Sequence, residues 1–90
     1  MMIKVLTVCG LGQGTSLILR MNVEQVLGEK GIRADVEHMD VSSASSMRAD
    51  YIITSNELAE GLTGHEAKVF IVNNYFDMDE INKAIDENIK

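Results

Sequence analysis

The only cysteine of the chain, Cys9, closes an apolar run and opens a loop with three glycines in five positions, Gly10, Gly12 and Gly14. Thr15 and Ser16 follow at once, where a second apolar run begins. In this segment, "CGLGQGTS", the glycines let backbone N–H groups converge without an obstructing Cβ. A helix opening at Thr15 adds unpaired N–H groups and the positive end of its dipole. Gly10, Leu11, Gly12, Gln13, Gly14, Thr15 and Ser16 are therefore a candidate cradle for a tetrahedral phosphate, with the Cys9 sulfur at its floor. The same field favours thiolate over thiol, and the thiolate is the nucleophile. A single cysteine after an apolar run is often just a packed small hydrophobe. The glycines and hydroxyls that follow Cys9 weigh against that reading.

Nucleotide loops fit less well. A Walker A loop needs a lysine before its hydroxyl residue, and none precedes Thr15 or Ser16. A dinucleotide fingerprint needs G-x-G-x-x-G, whereas G-L-G-Q-G is one residue short. A C-x-x-C redox pair is excluded by the cysteine count. Metal binding needs more ligands than two separated histidines, His38 and His65, and one cysteine with no spacing pattern. Each reads better as a satisfied or solvated histidine, and the chemistry calls for no metal and no cofactor.

The loop needs elements on either side to hold it. Residues 3–8, "IKVLTV", form an apolar, β-branched run that reads as a buried strand. Leu19, Val23, Val26 and Leu27 recur on one helical face, so a helix is expected from Thr15 to a stop at Gly31. Residues 34–41 alternate as a second strand and residues 42–47 form a loop or a single helical turn. Residues 50–55 form a third strand, with Ser55 as cap of a short helix, "NELAEGL". Residues 67–74 form a fourth strand. In residues 77–90, Met78, Ile81, Ile85 and Ile89 mark one face of a helix with Asp77 as cap and Glu80 in a capping-box position.

This alternation predicts a single α/β domain over residues 1–90. Its architecture is a three-layer sandwich around a four-stranded parallel sheet in order 2-1-3-4. Ligands in such folds bind beyond the carboxyl ends of the strands, where the order reverses. Cys9 and its loop fall there. Asp40, Thr54, Ser55, Asn73 and Asn74 fall on the same rim as further candidates, although turn formation and capping explain several of them. Leu17, Ile18 and Met21 lie off the core face of the first helix, beside the loop, and could dock a partner.

Composition narrows the functions. The 90 residues are 46% hydrophobic and 24% charged, with a net charge of −6 and no cluster of Lys or Arg. Such a chain has no footprint for nucleic acid. No apolar run approaches the roughly 18 residues of a membrane span, and the N-terminus is too short for a signal peptide. A cytoplasmic protein is expected, with no direct membrane insertion. Termini without a linker fit a freestanding chain.

Two families place a cysteine in this way. Low-molecular-weight tyrosine phosphatases use C-x₅-R-[ST] and an Asp-Pro acid. Here Thr15 stands at the arginine position and the chain has no proline. The chain more closely resembles the IIB components of the phosphoenolpyruvate-dependent sugar phosphotransferase system. "VCGLGQGTSLILRMNVEQVL" looks most like their ascorbate-type form, and "TSNELA" after the third strand also fits. The resemblance implies a Rossmann-like fold with a phosphatase-like phosphate loop. It also implies a phosphoryl carrier, in which Cys9 takes a phosphoryl group from a phosphorylated IIA protein and passes it to a sugar-like substrate in a membrane IIC component. The alternatives are a cysteine phosphatase and a non-catalytic regulatory module. A carrier should give no phenol release above the buffer blank with an aryl phosphate. Sustained release that Cys9→Ser abolishes would restore the phosphatase reading.

Overall fold

β1 (Ile3–Val8) is the strand around which the other elements assemble. Val5, Leu6, Thr7 and Val8 are all fully buried, as an apolar run covered on both faces must be. The structure is a computed structural model that describes residues 2–8, 15–62 and 64–89, without the side chains of Thr15, Ser16 and Glu57. The other elements are α1 (Thr15–Glu29), β2 (Ala34–Met39), α2 (Val41–Ser45), β3 (Tyr51–Thr54), α3 (Asn56–Ala59), β4 (Lys68–Ile71) and α4 (Met78–Asn88). A 3₁₀ turn, Glu60–Leu62, continues α3.

The four strands form a sheet in the order β2-β1-β3-β4, and every pairing is parallel. Both the order and the orientation are as expected. On one face α1 and α4 bring Leu19, Val23, Leu27, Ile81 and Ile85 against Val5, Val36, Ile53 and Phe70. On the other face Ala44 of α2 and Leu62 of the 3₁₀ turn cover Leu6, Val8 and Ile52. The side chains of β1 therefore alternate between two cores, and the three layers follow. Gly61 permits the close fit on the second face, since a Cβ there would stand 3.2 Å from Val41 Cγ1.

Helix ends account for most differences from the expected boundaries. α1 stops at Glu29 through a paired closure: Gly31 N–H donates to Gly28 O and Ile32 N–H to Leu27 O. Gly31 adopts φ 73°, the left-handed conformation this closure requires. Ile32 then packs against the same core as Leu27. β2 ends at Met39 rather than at residue 41, because the Asp40 carboxylate accepts from Ser43 N–H at 2.8 Å and starts α2. β4 is shorter than residues 67–74 for a related reason: the Asn73 and Asn74 N–H groups donate to the Glu80 carboxylate at 2.7 and 2.9 Å. Glu80 thus ties the loop after β4 to α4 instead of closing a capping box. Asp77 caps α4 as expected, accepting from Asp79 and Glu80 N–H.

The apolar stripe of α4 is buried at Ile81, Ile85 and Ile89, and its solvent side pairs Asp86 with Lys30 after α1. Truncating Ile85, which is 0% exposed, should cost about 2–5 kcal/mol in urea unfolding. Met21→Ala, at a side chain 59% exposed, should stay within about 0.5 kcal/mol. Equal losses at the two positions would contradict the packing of α4 on the sheet.

Candidate functional site

β1 ends at Val8, in the middle of the sheet, and α1 begins at Thr15. The connection between them carries the cysteine and its glycines. β1 lies between β2 and β3, so successive crossovers leave it in opposite directions. That is the switch point at which open α/β sheets bind ligands. Cys9, Gly10, Leu11, Gly12, Gln13 and Gly14 lie outside the described residues, as do the side chains of Thr15 and Ser16.

The described residues around that point are tied to one another. The carbonyl oxygen of Val8, in the peptide unit that carries Cys9, accepts from the Thr54 hydroxyl at 3.1 Å. The Tyr75 hydroxyl lies 3.5 Å from the same oxygen. Thr54 is the last residue of β3 and is fully buried. Tyr75 belongs to the loop after β4, and its own carbonyl accepts from Asn22 Nδ2 of α1 at 2.8 Å. One level further down the strand, the buried Thr7 hydroxyl donates to Glu37 O of β2 at 3.2 Å.

The other rim candidates have structural duties. Asp40 is exposed and caps α2, and hydrogen bonds from Ser43 hold its carboxyl below the ordinary value of 3.8. Ser55 stands at the N-cap position of α3, but its side chain makes no capping bond; its carbonyl accepts from Leu58 and Ala59 N–H instead. Asn73 and Asn74 are exposed and bound through their backbones to Glu80. The Asn74 side chain accepts from Phe76 N–H at 3.0 Å.

The two histidines are far apart in role. His65 Nδ1 accepts from Ala67 N–H at 2.9 Å, so its proton is on Nε2, which donates to Ala44 O and Met47 O. It is a structural histidine that joins α2 to the approach to β4. His38 is exposed on β2, with Arg20 Nη1 of α1 at 3.4 Å from its Nδ1. Arg20 also faces Glu24, Nε to Oε1 at 3.5 Å.

On α1, Leu17 and Met21 are exposed at 42% and 59%, and Ile18 is half-buried. The sequence reading missed Tyr75 and Phe76. Phe76 is 65% exposed and follows the residue that Asn22 holds against α1. Two adjacent aromatics directly after a strand's carboxyl end were the available signal.

A family model described as "PTS system, Lactose/Cellobiose specific IIB subunit" matches residues 4–87. The chain belongs to this family of IIB subunits. As such it is a phosphoryl carrier of the phosphotransferase system, a protein-phosphocysteine phosphotransferase that works with IIA and IIC partners. It is 33% identical over 86 residues to an ascorbate-specific EIIB component from Mycoplasma pneumoniae, covering 92% of this chain and 90% of that one. It is 40% identical over 65 residues to an ascorbate-specific EIIB component from Shigella sonnei, covering 70% of this chain and 64% of the relative. A solved lactose-specific IIB domain from Streptococcus pneumoniae superposes with a TM-score of 0.72 over the whole of both chains at 14% identity, so the fold is shared. Among the described residues no helix is long and apolar enough to cross a membrane.

Because hydrogen bonding lowers the Asp40 pKa in the folded chain, its stabilising effect on this IIB subunit is present above the unfolded value. It is lost as pH falls through the lowered one. The Asp40 carboxyl carbon, followed by NMR, should therefore titrate with a midpoint below 3.8. A midpoint at or above that value would mean the cap does not form.

Proposed function

We propose that Cys9 is the phosphorylated residue of this IIB subunit and that its substrate system is of the ascorbate type. The observation that carries the reading is positional. The only cysteine of the sequence directly follows the buried central strand at the switch point, and a helix opens six residues later. The ascorbate-specific names of the aligned relatives support the substrate class.

In the proposed step the Cys9 thiolate attacks the phosphorus of a phosphohistidine on a IIA protein. The sulfur–phosphorus bond forms as the phosphorus–nitrogen bond breaks, and the imidazole nitrogen leaves with the bonding pair. Amides of the loop from Gly10 to Ser16, with the Thr15 and Ser16 hydroxyls, hold the three phosphoryl oxygens. Preorganised donors of this kind supply most of what phosphoryl transfer asks of a protein. The group then passes to a hydroxyl of the substrate held in a membrane IIC component, which places the subunit at the cytoplasmic side.

Thr15 in place of an arginine suits this task. A phosphatase must activate water against its intermediate, whereas a carrier must keep its phosphothioester from hydrolysing and release it to the next acceptor. A cradle of neutral amides and hydroxyls, without a resident acid, does the second. Leu17, Ile18 and Met21, with Phe76 across the Asn22–Tyr75 contact, offer an apolar surface beside the loop on which IIA and IIC can dock in turn.

Mixed with phosphorylated IIA, the wild-type chain should take up one phosphoryl group and Cys9→Ser none. An acid-labile, phosphohistidine-like mark that persists on the Cys9→Ser protein would overturn the assignment.

A further inference from the structure

We infer that Thr54, assisted by Tyr75, is a positioning residue for Cys9: the two hydroxyls hold the Val8 carbonyl and so set the peptide unit from which the nucleophile hangs. The inference rests on the reading of Cys9 as the phosphoryl acceptor and adds the residues that aim it.

Three observations carry it. The Thr54 hydroxyl, fully buried at the end of β3, reaches across to β1 and donates to Val8 O at 3.1 Å, a slightly long hydrogen bond for a hydroxyl donor. The Tyr75 hydroxyl approaches the same oxygen from another element at 3.5 Å, a longer and weaker contact. Tyr75 is itself fixed, since Asn22 of α1 holds its carbonyl and Glu80 of α4 holds the amides of Asn73 and Asn74 just before it. β3 and the loop after β4 therefore meet at one carbonyl, and α1 and α4 anchor that loop. That carbonyl carbon is bonded to the nitrogen of Cys9.

Val8 cannot slide along the sheet, because its side chain is packed in the core with Leu6, Ile52 and Leu62. With the side chain packed, the orientation of the peptide unit is the remaining freedom, and the hydroxyls restrict it by binding the carbonyl. A near-attack geometry is sensitive to small misplacements of a reacting atom. Hydrogen bonds to a carbonyl also polarise its own amide, which makes the N–H of that unit a better donor to an anion. Both effects act on Cys9 without either hydroxyl touching the phosphoryl group.

The test exploits the single cysteine, since alkylation of the native chain reports on Cys9 alone. Thr54→Val removes the hydroxyl at nearly constant volume and Thr54→Ser restores it. The rate of phosphoryl uptake from phosphorylated IIA should fall roughly tenfold in Thr54→Val, the factor that corresponds to one ordinary hydrogen bond. The pH profile of iodoacetamide alkylation should move to higher pH in the same variant. Thr54→Ser should recover both to within about twofold of wild type, the recovery expected when the bond is remade.

A folded Thr54→Val protein with wild-type uptake and a superimposable alkylation profile would overturn the proposal, even if it melted at a lower temperature. Should Thr54→Val fail to fold, Thr54→Ala, which also removes the hydroxyl, decides by the same two readouts: a shifted profile supports positioning and an unshifted one refutes it. Alkylation needs no phosphoryl donor. A shifted profile without any uptake in wild type would therefore count against the carrier role of Cys9 and not against its positioning.

Discussion

Burial of β1 on both faces is the constraint from which the rest follows. Val5 through Val8 have no exposed surface, so each side chain must find a core, and the alternation sends Val5 to α1 and α4 and Leu6 and Val8 to α2 and the 3₁₀ turn. A strand so placed can take partners only along its two edges, and β2 and β3 supply them in parallel. The chain leaving Val8 then has one exit, at the carboxyl end of the sheet between two crossovers that turn opposite ways. The segment that follows Val8 leads directly to the N-terminus of α1 at Thr15. Glycines and small hydroxyl residues are what such an exit requires if an anion is to sit in it.

The charge of the molecule is arranged to match. The net charge is −6, yet no acidic residue occurs from Met1 to Val23, a stretch that holds β1, the loop and the first half of α1. The acids of β2 are occupied elsewhere, with Asp35 and Glu37 pairing with Lys4 on the same sheet. The segment proposed to receive a phosphoryl group thus carries no carboxylate of its own, and its Arg20 faces His38 and Glu24. A site without strong local charge fits a protein that must accept and surrender the same group, because tight binding of either state would slow the next transfer.

Periodicity made the order of elements and the sheet legible in the sequence, since buried β-branched runs and a Leu19/Val23/Val26/Leu27 stripe leave few alternatives. The candidate loop was legible because Cys9, three glycines and two hydroxyls stand together. What could not be read was the destination of single polar side chains. Asp40 looks like a rim carboxylate, and only the folded chain brings Ser43 N–H to it. Glu80 has the spacing of a capping box, but Asn73 and Asn74 compete for it with free amides from a neighbouring loop. Thr54 was legible as a rim residue, but its bond to Val8 spans 46 positions and depends on the register of β1 with β3. Tyr75 escaped attention because its partners, Val8 and Asn22, are 67 and 53 residues away in sequence.

The central claim is that the phosphoryl group rides on sulfur. The most direct measurement is a phosphorus NMR spectrum of the isolated chain after exposure to phosphorylated IIA, with proteolysis to locate the mark. A phosphothioester resonance on the peptide that contains Cys9, absent from Cys9→Ala, is the expected result. A phosphoramidate resonance, on His38, His65 or any other peptide, would contradict the account.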